Sequence, residues 1–219
     1  MDAAVPAASV SSVDGYVNWW KFNDATGTNA IDSSTNSKTC ALYNAPVWTN
    51  SAGGIGSALY FDGVTNYGSL GTLTSWPTTG SVSVTAWFRC EDVTAKRIIF
   101  AGVTGDLWWL NIDQTSLRIR LYVNGLTPAA TYTPGTSITN NIWTFVASVY
   151  DEAAAYIYLN SSLSVSNAVT GTRNAGNAGM YIGGQDNLNY FKGTIDDVRI
   201  YPRALSAGEI ATLYSNGPE

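Results

Sequence analysis

Leu117, Ile119, Leu121 and Val123 alternate with Arg118, Arg120 and Tyr122, the two-residue period of a strand with one face in a core. Val82, Val84, Ala86 and Phe88 repeat the pattern, but Ser83, Thr85, Trp87 and Arg89 opposite them include a side chain that also wants cover. This favours two packed sheets, with the Trp87 face as an outer or concave surface. Trp20 and Phe22 share one side of an early strand, and Trp19 and Lys21 the other. Further runs begin at Ala58, Arg97, Leu107, Thr144, Ala155 and Met180, separated by turn chemistry such as Asn124-Gly125 and Asp151-Glu152. Roughly a dozen short strands at fairly even spacing predict an all-β fold, a two-sheet antiparallel sandwich or jelly roll. No repeat of solenoid or propeller period is visible.

The last run reads differently. Asp196 and Asp197 are adjacent on a strand, so alternation sends them to opposite faces. A carboxylate facing a sheet interior is tolerated only when paired, hydrogen-bonded or bound to a cation, which makes Asp196 or Asp197 a first metal candidate. Pro202 ends the strand, and Ser206 with Glu209 forms a capping-box pattern that starts a short helical turn over Leu205, Ile210 and Leu213.

Gly193-Thr-Ile-Asp-Asp-Val-Arg-Ile-Tyr201, followed by Arg203-Ala-Leu-Ser and Glu209-Ile, resembles the C-terminal signature of LamG-like jelly-roll domains in the concanavalin A-like lectin/glucanase superfamily. Trp20-Lys-Phe22 with Asp32-Ser-Ser34, Ala58-Leu-Tyr-Phe-Asp-Gly63, Ser81-Val-Ser-Val-Thr-Ala-Trp-Phe88, Trp143-Thr-Phe-Val-Ala-Ser-Val-Tyr150 and Ile157-Tyr-Leu-Asn160 match in the expected order. The resemblance runs from Tyr16 to Tyr214. It implies the jelly roll, and it leaves the ligand open, because this fold serves many functions.

Composition narrows the possibilities. With 219 residues and 45% hydrophobic content the chain can bury one substantial core, so residues 13–219 are expected to form one domain. Residues 1–12, rich in Ala, Pro and Ser, read as a flexible linker from a larger chain. A net charge of -5 with few basic residues argues against nucleic acid or an anionic membrane as partner. No apolar run is long enough to span a bilayer. Cys40 and Cys90 are consistent with one disulfide or with two buried thiols.

Catalysis is not expected. Histidine is absent, and the Glu-x-Asp-x-x-Glu strand motif that the resemblance associates with laminarinase-like relatives is missing. The same resemblance implies a structural Ca²⁺ at Asp196, with N-terminal oxygens from around Asn23, Asp24 or Asp32 and a further source in Asp62; hard oxygen donors suit that ion. The alternatives are that Asp24 and Asp32 cap turns and that Asp196 bonds backbone amides or Arg199.

Eight tryptophans and thirteen tyrosines exceed what a core of this size requires, and aromatic faces suit sugar rings. The resemblance assigns Trp20, Trp87 and Trp143 to packing. Trp76 precedes a proline in a loop, and Trp108 and Trp109 cannot both point inward. The expected ligand site comprises Trp76, Trp108 or Trp109, Arg118, Arg120, Gln185, Asn187 and Tyr190, the arginines being alternatively solvated edge residues. The expectation is a non-catalytic carbohydrate-binding module, monomeric within a larger secreted or cell-surface protein and binding a polysaccharide or oligosaccharide. A protein-interaction or adhesion module is the alternative.

Overall fold

The computed structural model describes residues 12–52, 56–95, 97–102, 107–113, 118–134, 138–174, 179–185 and 189–219. Among them the strands number from β1 to β18 in chain order, and they form two large antiparallel sheets. The first sheet runs, in space, β15 (Ser162–Ala168), β14 (Ala154–Leu159), β13 (Trp143–Tyr150), β7 (Val82–Cys90), β18 (Lys192–Tyr201), β5 (Ser57–Asp62) and β4 (Val47–Asn50), with β1 (Asn18–Trp20) also paired to β18. The second runs β12 (Ala130–Tyr132), β10 (Arg118–Val123), β9 (Trp108–Asp113), β8 (Arg97–Gly102), β17 (Gly179–Ile182), β6 (Tyr67–Thr72), β3 (Cys40–Tyr43) and β2 (Asn29–Ala30). A two-stranded ribbon pairs β11 (Leu126–Thr127) with β16 (Thr170–Gly171).

One hydrophobic core fills the space between the sheets. It takes Trp20, Phe22, Val82, Val84, Ala86, Phe88, Ile119, Leu121 and Val123, the inward sets expected from alternation. Cys40 and Cys90 are both buried free thiols in that core. Burial pushes the Cys90 thiol up to about 11, so it is protonated at neutral pH.

A second apolar layer covers the other face of the first sheet. The C-terminal segment is a full helix, α1 (Ala207–Asn216), longer than the expected turn, and Ser206 and Glu209 form the capping box that starts it. Ile210 and Leu213 pack with Trp87, Phe145, Val149 and Tyr201. Trp87 therefore lies on the outer face, as alternation requires, but under a lid: Tyr214 stacks on it with ring centroids 5.5 Å apart. The outer face of the first sheet is consequently closed there to a ligand.

Candidate functional site

The second sheet presents its outer face differently. On β9, Trp108, Leu110 and Ile112 enter the core, so Trp109, Asn111 and Asp113 face away from it. On β10, Arg118, Arg120 and Tyr122 do the same. Antiparallel register sets Arg120 opposite Asn111 on one side and Tyr132 on the other, and Tyr122 opposite Trp109. The Arg120 guanidinium carbon lies 5.0 Å from the Tyr122 ring centre and 6.0 Å from that of Trp109, while Arg118 lies 5.8 Å from Tyr132. These are cation–π distances, which hold the arginines against the aromatic faces. Asn111 is fully buried; its Nδ2 donates to the Ile112 carbonyl at 3.0 Å, while its Oδ1 and the Nε of Arg120 have no partner among the described residues.

Register carries this face across the sheet. Trp109 pairs with Ala101, and Ala101 with Tyr181, so the two aromatics stand two strand spacings apart, about 10 Å. The Tyr67 ring lies 5.9 Å from Tyr181 and 6.3 Å from Tyr190, and it stacks on Tyr43 at 4.9 Å. Gly184 makes room for this cluster, since a Cβ there would come 3.0 Å from the Tyr190 ring. Gln185 is half-buried, and its Oε1 has no partner among the described residues. Asn187 lies outside the described residues.

Trp109, Arg118 and Arg120 are thus brought together as expected, and Tyr190 sits on the aromatic row of the same sheet. Trp76 and Trp108 are not on that face. Their rings meet edge to face at 5.8 Å in the core, 3% and 0% exposed, and Trp76 also packs on Phe100. The main-chain N–H of Trp76 donates to the Leu73 carbonyl at 3.0 Å, closing a tight turn just before the proline. Asn111, Tyr122, Tyr132, Tyr181 and Tyr67 complete the surface beyond the residues singled out from sequence. Alternation contained the signal for two of them: Asn111 is two residues from Trp109 and Tyr122 two from Arg120.

The four candidate metal ligands are not gathered into one cluster among the described residues. Among the described residues no cluster of three acidic or thiol side chains exists. Asp32 accepts five hydrogen bonds, from the Trp19, Ser34 and Lys38 N–H groups, Asn18 Nδ2 and Ser34 Oγ, all at 2.8–2.9 Å. Burial alone would raise this carboxyl, but those bonds more than offset it and hold it below the usual range. Asp62 is occupied by its own turn, accepting from the Val64, Thr65 and Asn66 N–H groups and Thr65 Oγ1. Asp24 accepts from the Ile31 N–H at 3.1 Å. Asp24 and Asp32 thus follow the turn-capping alternative, and Asp62 is engaged in the same way.

Asp196 and Asp197 depart from strand alternation. Asp196 is opposite Trp87 and Arg199 opposite Thr85, so two residues of β18 face one of β7, a β-bulge with Asp197 at φ 48°. Both carboxylates therefore lie on the outer face of the first sheet. Asp197 accepts from Trp19 Nε1 and holds Arg199 through two bonds at 2.8 and 3.0 Å. Arg199 also lies 4.1 Å from the Trp19 ring centre. Among the described residues Asp196 has only Ser51 Oγ and the Asp197 N–H as donors. Burial, with the neighbouring Asp197 charge, pushes it up to about 8.

Comparison with known proteins agrees with this architecture. Residues 61–211 match the family described as the concanavalin A-like lectin/glucanases superfamily. No curated protein sequence matches the chain. Among solved structures, domain 4 of an extracellular GH43 arabinanase from Geobacillus stearothermophilus, in complex with arabinotriose, superposes with a TM-score of 0.72 at 18% identity, covering 90% of this chain and 96% of that one. The receptor binding domain of botulinum neurotoxin C/D mosaic serotype gives 0.72 at 13% identity over 92% of this chain, which spans 51% of that one. A Trypanosoma rangeli sialidase gives 0.68 at 19% identity over 96% of this chain and 35% of its own. At these identities the likeness is one of fold. With the family match covering more than half its length, the chain belongs to the concanavalin A-like lectin/glucanases superfamily.

Proposed function

We propose that this chain is a non-catalytic carbohydrate-binding module of a larger secreted or cell-surface protein, and that it binds a polysaccharide or oligosaccharide on the outer face of the second sheet. The carrying observation is the grouping of Trp109, Tyr122, Tyr132, Arg118, Arg120 and Asn111 on β9, β10 and β12, bound together by cation–π contacts. Aromatic faces stack on the apolar faces of sugars, and guanidinium and amide groups supply directed hydrogen bonds to hydroxyls. The unpartnered Asn111 Oδ1 and Arg120 Nε are an acceptor and a donor of that kind. The arabinanase domain, solved with arabinotriose, supports the reading by fold analogy.

The glutamates support a binding role over hydrolysis. Glu209 caps α1 and pairs with Arg203, Glu219 pairs with Arg199, and Glu91 accepts from the Tyr60 hydroxyl. These three are engaged separately, whereas glycoside hydrolysis needs two carboxyl groups flanking one bond.

A glycan-array screen of the wild-type chain, repeated with Tyr132→Ala and Arg120→Gln, tests the proposal. Binding to a defined glycan class that both variants weaken is the expected result. Absence of glycan binding by the folded wild type, or binding untouched by both variants, would overturn it and leave a protein partner as the next ligand to seek.

A further inference from the structure

Away from the aromatic face, a cavity of about 310 Å³ opens between the loop preceding β7, the β13–β14 turn and the end of β16. Thr78, Thr79, Gly80, Tyr150, Glu152 and Arg173 are among its lining residues, with Gly171 and Thr172 beside them. The Arg173 side chain defines its chemistry. The residue is 6% exposed; its Nη2 donates to the Pro77 carbonyl at 2.7 Å and the Gly80 carbonyl at 3.3 Å, and its guanidinium lies 5.8 Å from the Trp76 ring centre. Nε and Nη1 are buried with no partner among the described residues, and Arg173 forms no ion pair with any of them.

The fold holds this arginine in place. Gly125 and Gly171 let two backbones approach closely: a Cβ at Gly125 would come 2.1 Å from the Thr172 carbonyl oxygen, and one at Gly171 would come 2.3 Å from that of Gly125. The β11–β16 pairing and the bond from the Asn174 N–H to the Asn124 carbonyl, 2.9 Å, fix the chain on both sides of Arg173.

A guanidinium stays charged at neutral pH, and a buried charge with no direct ion pair is costly even with Glu152 on the same cavity. Three of its five N–H donors, one on Nε and two on Nη1, are unbonded among the described residues. A single cation, with Glu152 the one acid among the lining residues, suits a monovalent anion better than a phosphate dianion. The hydroxyls of Thr78, Thr79, Thr172 and Tyr150 suit a polyol next to that charge. The cavity lies at the small end of ligand pockets, which start at roughly 300 Å³, so it fits one sugar unit.

We infer that this cavity is a second binding site, one that takes the carboxylate of a uronic acid residue on Arg173 and its ring hydroxyls on the surrounding threonines and Tyr150. The inference does not require the outer face of the second sheet to bind anything.

Amide NMR titration of the full chain tests it, with sodium D-galacturonate and D-glucuronate as probes, D-galactose and D-glucose as neutral controls, and sodium acetate as the bare carboxylate. A uronate is expected to shift the amides of Thr78–Gly80 and Gly171–Arg173 saturably, the neutral sugars not at all, and acetate at least about ten-fold more weakly, the difference a few hydroxyl hydrogen bonds make. Arg173→Gln is expected to abolish the shifts. Because that variant removes a buried anchor, Glu152→Gln is the second arm: it alters an exposed residue and is expected to tighten uronate binding about three-fold by removing a like charge. Arg120→Gln is expected to leave these shifts unchanged, which separates this site from the sheet face. Absence of uronate shifts in both the wild type and Glu152→Gln, equal shifts with neutral sugar, or equal affinity for acetate would overturn the inference.

Discussion

The main-chain N–H of Asp197 donates to Oδ1 of Asp196 at 2.8 Å, and the β-bulge at this pair turns both carboxylates to one face of the first sheet. Their environments then diverge. Asp197 has a bidentate arginine, whereas Asp196 has one hydroxyl and one amide for a group that is 1% exposed. Burial raises both carboxyls, and Arg199 opposes it chiefly at Asp197, which it holds directly.

The pH dependence of stability follows from that difference. Asp196 titrates near its ordinary 3.8 when unfolded and at about 8 when folded, so between those values the folded chain holds a proton that the unfolded chain releases. Stability contributed by this group is full below about pH 4 and falls as pH rises toward 8, by up to about 1.4 kcal/mol per pH unit. Asp196→Asn is expected to flatten that slope and to be the more stable protein at pH 8. Urea unfolding at pH 4, 6 and 8, in chelator and in calcium, checks this. A calcium-dependent gain at pH 8 that Asp196→Asn abolishes would instead make this carboxylate a metal ligand.

The C-terminal helix is expected to behave as part of the core. Tyr214→Ala removes the ring stacked on Trp87 and is expected to cost about 1–2 kcal/mol, combining lost burial with the aromatic pair. Ser206→Ala, which removes one half of the capping box, is expected to cost about 1 kcal/mol. Thermal unfolding measures both, and exposure of Trp87 adds a red shift in tryptophan emission only in the Tyr214 variant.

Gly193 is required by its position where β18 pairs with both neighbours. It stands opposite Phe61 on β5 and Cys90 on β7 at φ 134°, and a Cβ would come 2.1 Å from the Arg89 carbonyl oxygen. Gly193→Ala is expected to destabilise the chain by about 2 kcal/mol or more, since backbone on both sides leaves no route for relief. A loss of under half that in urea unfolding would mean that the strand ladder shifts to accommodate the methyl group.

The fold was legible because its signals are local and periodic. Alternation around Val82–Phe88 and Ile119–Val123 placed each inward set correctly, and the Ser206–Glu209 pair located the helix start. The Asp196–Asp197 bulge was not legible, because a bulge depends on how many residues the partner strand sets opposite it. The site was half legible for a related reason. Trp109, Arg118 and Arg120 follow from alternation within two strands, but Tyr132 and Tyr181 join them only through register between strands, which for Tyr181 are far apart in sequence. Trp76 looked available beside its proline, yet a ring that large is drawn to the core wherever a turn permits it.

Three aromatic residues, Trp108, Tyr132 and Trp109, are expected to separate cleanly by experiment. Trp108, fully buried against Trp76, is a core residue, so Trp108→Ala is expected to cost about 3–5 kcal/mol of stability. Any loss of glycan binding in that variant would track its unfolded fraction. Tyr132 stands at the exposed edge of the aromatic face, 37% accessible, and Tyr132→Ala is expected to leave stability within about 0.5 kcal/mol. Its affinity for the bound glycan is expected to fall about ten-fold, the equivalent of roughly 1.4 kcal/mol of stacking. Trp109, 9% exposed and packed on Ile98 and Ala101, lies between these limits and is expected to lose both. Measuring unfolding and glycan affinity on the same three proteins decides the matter: if Tyr132→Ala binds as tightly as wild type while Trp109→Ala fails only in proportion to its instability, the outer face of the second sheet is not where the sugar stacks.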